Sequence, residues 1–237
     1  MDNKNNEIAF YEQGKLEPFT GETLRPGGFG LTRKAIAICH FPPKAKILDI
    51  GCGTGATVHC LRQEYGFEAI GVDPSETMLQ KAKARPVPLP LLRGSGENLP
   101  FPDQEFDGIL MECTFSVMEN HKQVLRESSR VLKNQGKLII SDFYYRRRPG
   151  VLTKLYYEKI LDENGFRLEF WEDNSQLLVQ LMVDNIFQGR NNTAEVLWQS
   201  MLAKRENEGL TKEQIKKFKP GYFLLIAEKN PGMIEKN

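Results

Sequence analysis

The chain has 237 residues, 40% of them hydrophobic and 27% charged, with 32 basic against 31 acidic side chains and a formal charge of +1. That length holds one large domain or a domain with a substantial insertion, and the composition supports a packed core. So even a charge balance argues against a broad nucleic-acid surface, which needs a basic excess to meet phosphates.

No apolar run approaches the ~20 residues that cross a bilayer, so no membrane span is expected. The stretch Met1-Asp2-Asn3-Lys4-Asn5-Asn6 is polar and lacks the apolar centre of a signal peptide, which points to the cytoplasm. Cys39, Cys52, Cys60 and Cys113 form no CxxC pair. No metal site is signalled, and free thiols are the simplest state in a reducing compartment.

Residues 1–30 are polar with interspersed aromatics, and Arg25-Pro26-Gly27-Gly28-Phe29-Gly30 is expected to be irregular. Helical spacing runs from Thr32 to His40 and stops at Phe41-Pro42-Pro43. Lys46-Ile47-Leu48-Asp49-Ile50 reads as a short buried strand, followed by Gly51-Cys52-Gly53-Thr54-Gly55 and a helix from Ala56 to Tyr65 capped by Gly66. A second strand covers Phe67 to Val72 and ends at Asp73, and a second helix covers Ser75 to Ala84. Arg85 to Pro90 forbids helix and gives an extended link or third strand. Phe106 to Met111 is a fourth strand. Asn120 with Gln123 forms the pattern of a capping box for a helix through Leu132. Asn134-Gln135-Gly136 turns the chain into a fifth strand, Lys137 to Asp142. Thr153 to Asn164 is a helix closed by Gly165, Phe166 to Trp171 a strand, residues 175–219 are helix-like, and Tyr222 to Ala227 is a final apolar strand. Alternating strands and helices predict a mostly parallel sheet covered on both faces, with a helical insertion before its last strand.

Gly51, Gly53 and Gly55 leave a strand and open a helix, so bare N–H groups are presented to a ligand. Gly51-x-Gly53-x-x-Ala56 also satisfies the dinucleotide fingerprint, and Asp73, about twenty residues on, suits an NAD ribose. The glycines alone therefore leave an NAD(P)-dependent oxidoreductase open. Asp49, inside the first strand, is costly to bury unless something pairs with it.

Residues 46–142 resemble the class I S-adenosylmethionine-dependent methyltransferases of the type 11 group, and are similar to the ubiquinone/menaquinone methyltransferases. The resemblance is carried by Ile47 to Gly55, Gly71-Val72-Asp73-Pro74-Ser75-Glu76-Thr77-Met78, Glu97-Asn98-Leu99-Pro100-Phe101, Phe106-Asp107 and Arg130 to Leu138. It implies a Rossmann-like α/β fold, a doubly wound seven-stranded sheet whose last strand is antiparallel. It also implies S-adenosyl-L-methionine as cofactor and in-line methyl transfer to an acceptor, most simply a small molecule. Gly51, Cys52, Gly53 and Gly55 then line the methionine side with Asp49 close by, while Asp73 and Pro74 meet the ribose. Met78 packs near the adenine, with Ser95-Gly96-Glu97 at its edge. The family commonly has Asp where Ser95 stands, so the adenine contact departs from pattern.

Each assignment has a plainer structural reading. Asp73 can cap the following helix, Asp49 can brace loops, and Met78 can be core. Glu112 and Cys113 end the fourth strand, where substrate or the methionine end would sit. Glu112, Asp142 and Tyr144 are the candidate catalytic groups, and Cys113 reads as a packing residue. His121 follows the Asn120 cap and His40 and His59 fall on helices, so no histidine–carboxylate pair stands out as a base. Arg146-Arg147-Arg148 is a solvated run or an anchor for an acidic substrate. Tyr11 with Leu24 to Phe29 is a candidate lid, and residues 175–219 a substrate-selecting segment. A module that binds the cofactor without turnover is the remaining alternative.

Overall fold

The computed structural model describes Thr23, residues 25–187, Glu195, Met201 and residues 207–230. Of the expected lid, Tyr11 and Leu24 lie outside these residues, as does part of the 175–219 segment.

The first strand, β1 (Lys46–Ile50), is buried along almost its whole length. It pairs in parallel with β2 (Glu68–Asp73) on one side and β4 (Phe106–Glu112) on the other. A strand covered on both faces reads as a continuous apolar run, which is why Ile47 to Ile50 shows no alternation apart from Asp49. Seven strands form one sheet in the order β3-β2-β1-β4-β5-β7-β6. β3 (Leu91–Arg93), β5 (Leu132–Tyr145) and β6 (Phe166–Asp173) complete the parallel set, and β7 (Pro220–Lys229) runs antiparallel to both β5 and β6.

Helices cover both faces. On one side α1 (Gly28–Cys39), α2 (Ala56–Tyr65) and α3 (Glu76–Ala82) pack through Leu31, Ile36, Val58, Leu61 and Leu79 onto Ile47, Leu110 and Ile139. On the other, α4 (His121–Val131) and α5 (Lys154–Asp162) pack through Val124, Leu125, Tyr157 and Ile160 onto Leu48, Ile109 and Ile140. Between β6 and β7 lie α6 (Gln176–Phe187) and α7 (Lys212–Lys217). Among the described residues, no helix is long and apolar enough to cross a membrane.

Several boundaries differ from expectation, each for a local reason. Gly28, Phe29 and Gly30 are helical rather than irregular, because α1 begins at Gly28 after a left-handed Gly27 (φ 77°). The first turn of a helix needs no intrahelical N–H partners, so glycine costs little there. Of the two readings of residues 85–90 the extended link holds, and the third strand starts after Pro90, since prolines cannot donate to a ladder. Asn134-Gln135-Gly136 is a bulge inside β5 instead of a turn before it, with Gln135 at φ 64° and the pairing jumping from Phe106↔Leu132 to Gly108↔Lys137. Asn120 caps α4 by accepting from the Gln123 N–H (3.1 Å), while the Gln123 amide donates to the Glu97 carbonyl.

Candidate cofactor site

The carboxyl ends of β1, β2 and β4 open on one crevice, the ligand position of an open α/β sheet. Beyond Ile50 the chain hooks over β2: the N–H groups of Gly51 and Cys52 both donate to the Val72 carbonyl, at 2.8 and 3.1 Å. Gly51 sits at φ 78°, and a Cβ there would fall 2.3 Å from Thr114 Cγ2. Thr114 in turn donates to the Ile50 carbonyl (2.9 Å), so the segment after β4 is seated directly on the glycine turn. Gly55, at φ 76°, caps the start of α2.

Asp73 does two things at once. Its Oδ1 accepts from the Ser75 N–H (2.8 Å), beginning α3, and its Oδ2 accepts from the Gly53 N–H (2.7 Å), fastening the turn to β2. Pro74 beside Asp73 is exposed. Met78 is buried, with its terminal methyl against the bare face of Gly53. Cys52 packs its sulfur on Gly71, and burial holds its thiol well above the usual pKa, with Asp49 and Asp73 adding to the effect.

Asp49 is 3% exposed, and burial raises its pKa to about 8, with Glu112 and Asp73 adding and Arg25 opposing. Glu112, also buried, accepts from the hydroxyls of Thr32 (2.9 Å) and Thr57 (3.0 Å) and pairs with Arg25 at 2.8 Å. This knot joins the segment before α1, the helices α1 and α2, and the end of β4.

The Ser95–Glu97 loop lies across the same mouth. Gly96 is buried against Ile50 and Met118, and the Glu97 carboxylate accepts from the Glu119 N–H (3.1 Å). Ser95 is half-buried and bridges to Asn98. Asp142 is fully buried: Oδ1 accepts from Ser116 Oγ (2.7 Å) and the Phe143 N–H (2.6 Å), and Oδ2 from the Ser116 N–H (2.8 Å). It pins the single 3₁₀ turn Phe115–Val117 that follows β4. Tyr144 points elsewhere, donating to Asp173 (2.8 Å) and packing edge-on against Trp171 and Phe223; burial pushes its hydroxyl pKa up to about 12. His121 stacks on Phe115 and shares a 2.6 Å hydrogen bond with Tyr156. Of the arginine run, Arg146 lies near Asp173 and Arg148 stacks over Tyr145 and Phe218.

The structure thus gathers Asp49, Gly51, Cys52, Gly53, Gly55, Asp73, Met78, Gly96 and Glu112 around one crevice and turns Tyr144 towards β6. Sequence reasoning placed Arg25 in the candidate lid without its pairing to Glu112, and missed Thr32, Thr57, Thr114 and Tyr222. Tyr222, on β7, is fully buried with its hydroxyl 3.2 Å from Cys113 Sγ and 3.4 Å from Ser141 Oγ. Cys113 itself takes a left-handed backbone (φ 60°), uncommon outside glycine and frequent at functional sites. No spacing rule links residues as far apart as these, so only the fold brings them together.

Residues 48–140 match the model of a family described as a methyltransferase domain. An uncharacterised protein of Haemophilus influenzae is 31% identical over 168 residues, covering 61% of this chain and 67% of that protein. The chain belongs to the methyltransferase-domain family. A demethylmenaquinone methyltransferase of Thermotoga maritima is 38% identical over 112 residues, 47% of this chain and 49% of the relative. The chain spans about half the length of most curated relatives it matches. Among solved structures, phosphoethanolamine N-methyltransferase 2 of Haemonchus contortus, in complex with S-adenosyl-L-methionine, superposes with a TM-score of 0.69 at 17% identity. That match covers 95% of this chain and 57% of the other. The fold is that of the class I methyltransferases expected from the motifs. Its strand order also departs from the 3-2-1-4-5-6 order of dinucleotide-binding domains, because β7 stands between β5 and β6.

Proposed function

We propose that the protein is an S-adenosylmethionine-dependent methyltransferase acting on a small-molecule acceptor. The observation that carries the reading is the Asp73 clamp: one carboxylate at the end of β2 fastens both the glycine turn and the start of α3. The residues present fit the cofactor. Gly51 and Gly53 let the turn close tightly on Thr114 and Met78, Met78 gives an apolar surface, and Asp49 supplies a buried carboxyl group for an ammonium. Asp73 would take the ribose hydroxyls, and Ser95, Gly96 and Glu97 the adenine edge.

When bound, S-adenosylmethionine supplies a methyl group already activated by its sulfonium. The chain's own task is then to hold donor and acceptor in line and to exclude water. Asp142, with three donors on its carboxylate, acts in this reading as a loop anchor rather than a base. Glu112 holds the segment before α1 against the sheet. Cys113, Phe143, Tyr222 and Leu177 belong to one apolar cluster near the ends of β4 and β5, and an apolar surround of that kind supports a small-molecule acceptor. The Thermotoga relative's name is consistent with that choice. Residues 175–219 select the acceptor, and the four free cysteines suit a reducing compartment such as the cytoplasm.

Calorimetric titration with S-adenosylhomocysteine tests the assignment. Asp73→Ala should weaken binding by at least ~1.5 kcal/mol, about the scale of a charge-assisted hydrogen bond, with the far-ultraviolet spectrum unchanged. Unchanged affinity refutes the role of Asp73. Stabilisation of the wild-type protein by NADH but not by S-adenosylhomocysteine refutes the function.

A further inference from the structure

The knot around Glu112 leaves one donor over. Arg25 is 5% exposed. Its Nη1 donates to the Thr23 carbonyl (3.2 Å), and its Nη2 donates to Thr32 Oγ1 (2.7 Å) and lies 2.8 Å from Glu112 Oε2. Thr32 passes its own hydroxyl hydrogen to Glu112 Oε1. The guanidinium is therefore fixed on two sides. Its Nε–H is buried and has no hydrogen-bond partner among the described residues. A buried charged donor without a partner is uncommon, and it carries a desolvation cost that only an acceptor can relieve. Two carboxylates feel this guanidinium, Glu112 in direct contact and Asp49 at longer range. The Asp49 carboxylate accepts no hydrogen bond among the described residues. An unmet cationic donor and a carboxyl group without a hydrogen bond among the described residues are thus both buried near Glu112.

We propose that Arg25 Nε is the anchor for the carboxylate of the cofactor's amino-acid end, with Asp49 facing its ammonium; this rests on the methyltransferase reading above. A zwitterionic amino acid is the chemical class that meets both groups, and a nucleoside without that tail meets neither. Arg25 precedes the motif-bearing core, and nearby Gly27 packs so closely on Leu177 of α6 that a Cβ there would lie 2.7 Å from its Cδ1. Carboxylate capture by Arg25 therefore fastens the segment before α1 over the crevice and against the insertion.

Three ligands separate this role from a merely structural one: S-adenosylhomocysteine, its decarboxylated analogue (the adenosyl thioether of 3-aminopropanethiol) and 5′-methylthioadenosine, which lacks the whole amino-acid end. Affinities are read by calorimetry on the full chain. The wild-type protein should bind S-adenosylhomocysteine at least ~10-fold more tightly than the decarboxylated analogue, about 1.4 kcal/mol. Arg25→Gln should bring that ratio to within about twofold of unity, Arg25→Lys should restore part of it, and methylthioadenosine affinity should change by less than about threefold. A ratio that survives Arg25→Gln overturns the proposal, because the carboxylate is then held elsewhere. Equal losses for all three ligands also overturn it, since Arg25 would then only shape the fold. If the wild-type protein binds none of the three, the cofactor reading itself falls.

Discussion

Replacing Asp142 by Asn separates an anchor from a catalytic group. The side chains have the same shape, but the amide has one acceptor oxygen where the carboxylate has two. Ser116 N–H approaches Oδ2 at 2.8 Å, while Ser116 Oγ and Phe143 N–H approach Oδ1 at 2.7 and 2.6 Å. With the amide nitrogen in the Oδ2 position, two donors face each other at Ser116. With the amide flipped, the Ser116 hydroxyl can reverse but the Phe143 N–H cannot. Either way at least one backbone N–H is left buried without its partner. A hydrogen bond to a charged group contributes about 1.5–3 kcal/mol, and stranding a donor costs a similar amount. The expected loss is therefore about 2–4 kcal/mol, within the roughly 5–15 kcal/mol that holds a domain folded. Urea unfolding should show a lower midpoint at an unchanged m value. Affinity for S-adenosylhomocysteine should fall with it, because the loosened turn Phe115–Val117 leads into Met118, which lies against Gly96. Stability within about 0.5 kcal/mol of wild type, with cofactor affinity intact and methyl transfer lost, would refute the anchor and return Asp142 to the chemistry.

Two further perturbations probe the same crevice. Gly51→Ala places a Cβ 2.3 Å from Thr114 Cγ2 at a left-handed backbone; conformational strain of about 1–2 kcal/mol and overpacking of about 1–3 kcal/mol predict a clear drop in thermal midpoint, and an unchanged midpoint would contradict the packing. Asp49, with a folded pKa of about 8 against an ordinary value of 3.8, keeps a proton between about pH 4 and pH 8 that the unfolded chain has lost. Folding stability should therefore decline as pH rises through that window, by up to ~1.4 kcal/mol per pH unit for one proton. Asp49→Asn, still facing Glu112, Asp73 and Arg25, should flatten the decline; parallel profiles for the two proteins in urea unfolding at pH 5 and pH 8 would reject it.

What the sequence made legible was local. Ile47 to Gly55, the Gly66 cap, the Asn120 cap and Thr153 before α5 each follow from the chemistry of neighbouring residues, and the structure builds them where the residues imply. The choice between link and strand over residues 85–90 was local too: Pro86, Pro88 and Pro90 hold the chain extended, but strand pairing needs donors they lack. The carboxylates were harder to assign. Asp73 reads as a cofactor ligand by resemblance and as a helix cap by position, and its geometry combines a cap with a clamp on Gly53. Glu112 looked like an open strand-end carboxylate because its partners, Arg25, Thr32 and Thr57, are 55 to 87 positions away in the chain. Asp142 and Tyr144 share one face of β5, yet the first meets the turn after β4 and the second meets β6, a distinction set by strand order alone.

Strand order also explains why the part of the chain without motifs belongs to the crevice. β6 is antiparallel to β7 and so runs with β5, which brings its carboxyl end at Asp173 to the side where β4 and β5 end. β7 runs the other way, so its first residues lie there too: Pro220 pairs with Tyr145, and Phe223 with both Asp142 and Asp173. The segment between β6 and β7 consequently leaves the sheet and returns to it on the crevice side. Inverting β7 is what fixes both ends there; a parallel last strand would have to be entered from the opposite edge. The same inversion delivers Tyr222 to Cys113 and Ser141, and it puts Leu177 within reach of Gly27. The glycine turn, Asp49 and Asp73 belong to β1 and β2, on the far side of β4 from this segment.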